Sequence, residues 1–145
     1  VIEFNARFGD PETQVVLPRL SSPFGAALLA AATGTLADVA PFEFGGAAAV
    51  TVVVASEGYP DDPQTGRAIT GIAEADALEG VHVMHAATVV SEEHGFVAPG
   101  GRVLSVVGSG ATLAEARERA YAGVEGIRLE GAQTRSDIAR AAADV

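Results

Sequence analysis

Apolar and polar positions alternate from Val1 to Ala6, and that period of two predicts a strand with Glu3 and Asn5 on one face. Asp10-Pro11-Glu12 then reads as a helix start. Asp10 suits the cap, Pro11 the first helical position, and Glu12 the positive end of the helix dipole. Pro18 breaks or kinks the helix there. A second helix is expected over Pro23–Thr33, with Phe24, Leu28, Leu29 and Ala32 at helical spacing and Gly34 as its stop. Thr35 to Gly46 carries Pro41, Gly45 and Gly46 and reads as a connection, so a domain boundary is placed after residue 34.

Beyond that boundary the pattern turns to strands. Ala47–Ser56 is rich in Val and reads as a buried strand, and Glu57–Gly71, with three Gly and two Pro, reads as a loop. Val81–Val90 predicts a strand and Ser91–Gly95 a polar turn. A short strand is expected from Phe96-Val97, a turn at Pro99-Gly100-Gly101, and a further strand over Arg102–Val107. Thr112–Leu129 predicts a helix opened by a Thr112/Glu115 capping box, with an apolar stripe through Leu113, Ala116, Ala120, Val124 and Ile127. Glu115 and Arg119 form an i,i+4 pair on it. A short terminal helix, capped by Ser136, is expected over Ser136–Ala143. Strands joined by turns and followed by a helix predict an α+β fold with a mainly antiparallel sheet and a packed helix.

Composition narrows the function classes. An apolar fraction of 48% is enough for a core. Nine basic residues face nineteen acidic ones, a net charge of −10, which disfavours a nucleic-acid partner. All nine basic residues are Arg, so any Lys that handles a nucleotide would lie outside this chain. The longest apolar stretches, near Ala47–Ala55 and Gly25–Ala32, are too short to cross a bilayer, and no membrane partner is expected. The absence of cysteine removes disulfide and thiolate chemistry and is compatible with the cytoplasm. The chain opens without Met and inside an apolar run, which reads as the start of a fragment.

Few residues combine into chemistry. Glu3 and Asn5 place a carboxylate and an amide oxygen two apart, a donor pair suited to a hard divalent ion such as Mg²⁺. Arg7, on the same face, offers a planar donor fork to a phosphoryl group. On pattern alone, an edge strand with a polar solvent face is the simpler reading. His82 and His85, three apart on a strand, face opposite sides and make poor co-ligands. Gly108-Ser109-Gly110 lacks the spacing of a dinucleotide turn, since position 113 is Leu, and reads as a tight strand-to-helix turn.

The run Glu3-Phe4-Asn5-Ala6-Arg7-Phe8-Gly9-Asp10-Pro11-Glu12-Thr13-Gln14 changes that balance. Its Glu-x-Asn-x-Arg opening is similar to the metal and phosphoryl-contact strand of the ATP-grasp superfamily. From Arg7 to Gln14 it resembles the signature of phosphoribosylamine–glycine ligases. Ala49–Pro60 and Gly101–Gly108 resemble two further blocks of that family in the same order. The resemblance covers nearly the whole chain. It implies that residues 1–34 end an ATP-grasp domain and residues 35–145 form the ligase C-terminal domain. It also implies an activity: glycine is joined to 5-phosphoribosylamine through glycyl phosphate, with ATP cleaved to ADP and phosphate, in purine biosynthesis in the cytoplasm. Glu3 and Asn5 would hold Mg²⁺ or Mn²⁺, and Arg7 would act catalytically. Asp10, Glu12 and Arg102 are candidates for substrate contacts, although for Asp10 and Glu12 ordering the loop and helix behind the metal strand is the preferred role, since Asp10 already suits an N-cap. The rest of the site would come from the missing N-terminal part of the same enzyme, so no turnover is expected from this chain alone. A non-catalytic packing or oligomerisation domain, and the same domain within a fused multi-activity purine enzyme, are the alternatives.

Overall fold

The computed structural model describes Ile2, Phe4 and residues 6–143. The centre of the molecule is an antiparallel sheet of three strands, β1 at Ala48–Ala55, β3 at Val81–His85 and β6 at Arg102–Gly110. Their order is β1-β6-β3. β6 is the middle strand because it is apolar on both faces: Val103, Leu104, Val106 and Val107 are all buried, along with Ser105. Its register sets Val52 and Val83 on either side of Val106. Burying each such side chain is worth about 1.5–3 kcal/mol, so this strand carries much of the core.

One face of the sheet is covered by α4, Leu113–Gly126. Ala116 and Ala120 lie fully buried against Val50 and Val52. Helix and strand approach closely because Gly108 has no side chain: a Cβ there would overlap the Ala116 carbonyl and the Ala120 amide. The Gly-Ser-Gly run, expected as a strand-to-helix turn, instead forms the end of β6, and the turn into α4 falls at Ala111-Thr112. Thr112 caps α4, its hydroxyl accepting from the Glu115 amide at 3.2 Å, while the Glu115 carboxylate accepts from the Ala111 amide at 2.7 Å. The opposite face, at β1 and β6, meets α1, a single turn over Thr13–Val16.

A second antiparallel sheet consists of β2 at Arg67–Thr70, β4 at Val89–Ser91, β5 at Gly95–Ala98 and β7 at Arg128–Leu129, in the order β4-β5-β2-β7. Ile69, Ala98 and Leu129 from it join Val54, Val83, Leu104 and Val106 in the larger core cluster. α3, Ile72–Asp76, packs beside β3 and α4 and buries Ala75. α2, Phe24–Thr33, ends at Gly34 with φ 75°, a left-handed C-cap that favours glycine. The fold class is α+β with antiparallel sheets and a packed helix, as expected.

Several expectations are corrected. Ile2, Phe4 and Ala6 belong to no strand; no described segment pairs with them, and a strand needs a neighbour for its backbone groups. Asp10 does not cap α1. The Thr13 amide bonds the Gly9 carbonyl at 3.0 Å, and Glu12 holds the capping position without a side-chain bond to the helix end. Glu57–Gly71 is not all loop, since β2 pairs with β5 and β7. Val81–Val90 is two strands, divided where the Ala86 and Ala87 amides turn to the carbonyls of Val103 and Arg102. The long helix stops at Gly126, and Arg128-Leu129 leaves to pair with β2. The last helix, α5, spans only Arg140–Ala143; the Ser136 carbonyl is taken by the guanidinium groups of Arg117 and Arg140. α2 buries Ala27 and Ala30, leaving Leu28 and Leu29 exposed.

Candidate functional site

The site builds around the segment after Arg7. Glu3 and Asn5 lie outside the described residues. Arg7 is exposed, and its Nη1 donates to the Phe8 carbonyl at 3.1 Å. Phe8 stands edge-on to the Phe24 ring of α2, with centroids 5.6 Å apart. Gly9 to Thr13 then turns tightly, the Thr13 hydroxyl and amide both donating to the Gly9 carbonyl.

Asp10 and Arg102 meet although 92 residues separate them. Arg102 Nη2 lies 3.1 Å from Asp10 Oδ2, and Nη1 donates to the Asp10 carbonyl at 3.3 Å. Gln14 Nε2 donates to the other carboxylate oxygen, Oδ1, at 3.1 Å. Both oxygens of Asp10 are therefore engaged. Pair members 40% and 49% exposed, as here, contribute on the order of 0–1 kcal/mol to stability, so what the pair fixes is geometry. Glu12 is exposed at the start of α1.

A cleft of about 500 Å³ opens between this turn and the sheet, lined among others by Asp10, Thr13, Gln14, Met84, His85 and Ser105. Gln14 Oε1 is buried there without a hydrogen-bond partner, an acceptor available to a donor in the cleft. Sequence reading singled out neither Gln14 nor Ser105 nor Met84 as a site residue. Only tertiary folding sets β3 and β6 opposite the Gly9–Gln14 turn. The predicted pairing of Glu115 with Arg119 is present at 2.8 Å. His82 and His85 part company as expected: His82 Nδ1 lies 2.9 Å from Asp76, while His85 stacks on Phe96 with centroids 4.7 Å apart. Among the described residues, no group of three His, Cys, Asp or Glu is placed to hold a metal ion. Among them, too, no helix is long and apolar enough to cross a membrane.

Residues 49–141 match the family described as Phosphoribosylglycinamide synthetase, C domain. A phosphoribosylamine–glycine ligase of Leifsonia xyli subsp. xyli is 58% identical over 140 residues, covering 96% of this chain and 34% of that protein. One of Streptomyces coelicolor is 57% identical over 145 residues, covering 99% and 35%. Among solved structures, the phosphoribosylamine–glycine ligase of Thermotoga maritima superposes with a TM-score of 0.76 at 36% identity, over 94% of this chain and 32% of that one. The chain spans about a third of the length of the curated relatives it matches. With 93 of its 145 residues matched to the family (49 to 141 inclusive), the chain belongs to the phosphoribosylglycinamide synthetase C-domain family.

Proposed function

We propose that this chain is the C-terminal part of a phosphoribosylamine–glycine ligase, a carbon–nitrogen ligase that joins glycine to 5-phosphoribosylamine as ATP becomes ADP and phosphate. The observation that carries this reading is the 58% identity to such a ligase across 96% of the chain, a span that takes in the Arg7–Gln14 signature. In this reading residues 1–34 complete the ATP-grasp domain, and residues 35–145 are the C-terminal domain enclosing the site. The remaining two thirds of the polypeptide supply the adenine-binding segments and pack on the apolar face left exposed by Leu28, Leu29, Leu36, Phe42 and Phe44. The cytoplasm is the proposed compartment.

Glu3 and Asn5 provide the hard oxygen donors that Mg²⁺ prefers, and a bound ion there would neutralise charge on the ATP phosphates. Arg7 is exposed, so its guanidinium is free to turn toward a phosphoryl group, and its planar fork suits the charge that develops in the transition state. Attack of the glycine carboxylate on the γ-phosphorus gives glycyl phosphate and ADP. The amine then attacks the acyl carbon and expels phosphate. Asp10 and Gln14 form a wall of the cleft, which begins at Phe8, the residue after Arg7, with the Gln14 carbonyl as an acceptor for an incoming N–H.

The test is ADP release by the complete ligase with MgATP, glycine and freshly prepared phosphoribosylamine, omitting each in turn. Release is expected only when all three are present. In the same assay Arg7→Ala is expected to lower kcat by about 10²–10³-fold while leaving thermal unfolding unchanged. Release that ignores glycine would refute the substrate assignment. Unfolding of Arg7→Ala would make Arg7 structural, as the alternative of a non-catalytic packing domain requires.

A further inference from the structure

We infer that Arg102 is a positioning residue for the ligase reaction, holding the turn after Arg7 against the central sheet. The inference rests on the proposed function. Its starting point is that Arg7 is exposed and, among the described residues, bonded to its own neighbour's carbonyl alone. Where its guanidinium can reach is therefore set by the backbone that carries it. That backbone is anchored within three residues. Phe8 is held by the Phe24 ring. Asp10 is held by Arg102 through its side chain and its carbonyl together, and by Gln14 through its second carboxylate oxygen.

Arg102 is suited to this role by its place in the fold. It opens β6, whose next five residues are all buried, and β6 is bonded on one edge to β1 and on the other to β3. The strand is held along both edges, and its first residue transfers that constraint to a turn without regular structure of its own. The bond is charge-assisted and two-pronged, so it fixes the turn's orientation as well as its distance. Because both partners are about half exposed, the pair adds little to global stability. Loss of Arg102 should therefore damage catalysis more than folding, which separates positioning from simple packing. The engagement of both Asp10 oxygens also assigns Asp10 to this hold, in preference to a direct contact with the amine.

The experiment uses the complete ligase with Arg102→Ala, Arg102→Lys, Asp10→Ala and the double variant Arg102→Ala/Asp10→Ala. Wild-type enzyme lacking glycine- and amine-dependent ADP release would refute the ligase reading itself, before Arg102 is considered. Given that release, Arg102→Ala is expected to lower kcat by roughly 10–10²-fold, as misplacement by about 1 Å does. KM for each of the three substrates should change by no more than about threefold, and the Tm by no more than about 2 °C. Arg102→Lys should recover part of the loss, since an ammonium keeps the charge but not the fork. The double variant should be no slower than the slower single variant, because the two residues act as one unit. An unchanged kcat in Arg102→Ala would overturn the inference. So would a loss confined to KM for one substrate, which would mark a direct contact. Fully multiplied losses in the double variant, or unfolding of both Arg102 variants, would overturn it equally.

Discussion

Asp76 shows how a single side chain gains a role from its surroundings. It follows Ala75, buried in the core, and its carboxylate caps the outer edge of β3. Oδ1 accepts from the Val83 amide at 2.7 Å and lies 2.9 Å from His82 Nδ1. The Val83 amide holds the carboxyl below its ordinary value of 3.8, partial burial works against this, and the His82 ring adds to the lowering. A carboxyl depressed by folding stabilises the native state fully above the unfolded value. That contribution is lost as the pH falls through the lower, folded value. Acid unfolding below about pH 3.8 should accordingly be shallower in Asp76→Asn than in wild type, because the amide keeps an acceptor for Val83 but no longer titrates. Equal slopes below that pH would show that Asp76 carries no such linkage. Neither the edge cap nor the Arg102–Asp10 pair could be read from the sequence. Each joins residues whose separation along the chain says nothing of their distance in space.

At the scale of elements, local pattern was most legible where one element buries one continuous surface. The Val-rich run became β1, the Arg102 run became β6, and the Thr112/Glu115 signal opened α4 at the expected residue. These segments carry their own periodicity and end signals. The same reading failed where an element exists only because a partner completes it. β2 and β7 are four and two residues long and form because they pair with each other and, for β2, with β5. Short edge pairs of this kind have too few side chains to leave a pattern. The contact between β6 and α4 provides a direct test. Gly108→Ala would drive a methyl group into the backbone of α4 at Ala116 and Ala120, which cannot move aside as a flexible side chain can. A destabilisation of about 3 kcal/mol or more is expected in urea unfolding. A loss below about 1 kcal/mol would mean that helix and strand part easily.

Across the whole molecule, the described chain contains the central sheet, its covering helix and the cleft between that sheet and the Gly9–Gln14 turn. Its first 46 residues expose a series of large apolar side chains, Leu29 at 66% and Leu36 at 53% among them. With about a third of the relatives' length represented, the purified 145-residue chain is expected to give no ADP release with MgATP, glycine and the amine. Turnover by a preparation free of contaminating enzyme would overturn this division of labour.

By itself the sequence determined the α+β class, the positions of β1, β6 and α4, the Gly34 stop and the family. All of these rest on information carried within a few neighbouring residues: periodicity, capping chemistry, and the order of side chains in the Arg7–Gln14 run. Tertiary structure alone decided that Asp10 faces Arg102 and not the helix end. It also decided that β3 and β6 form one side of a cleft against Gln14, and that Arg128-Leu129 leaves the helix to pair with β2. The physical reason is common to all three. Each depends on the free energy of bringing distant segments together, where a buried or bonded partner outweighs the local preference of the residues themselves.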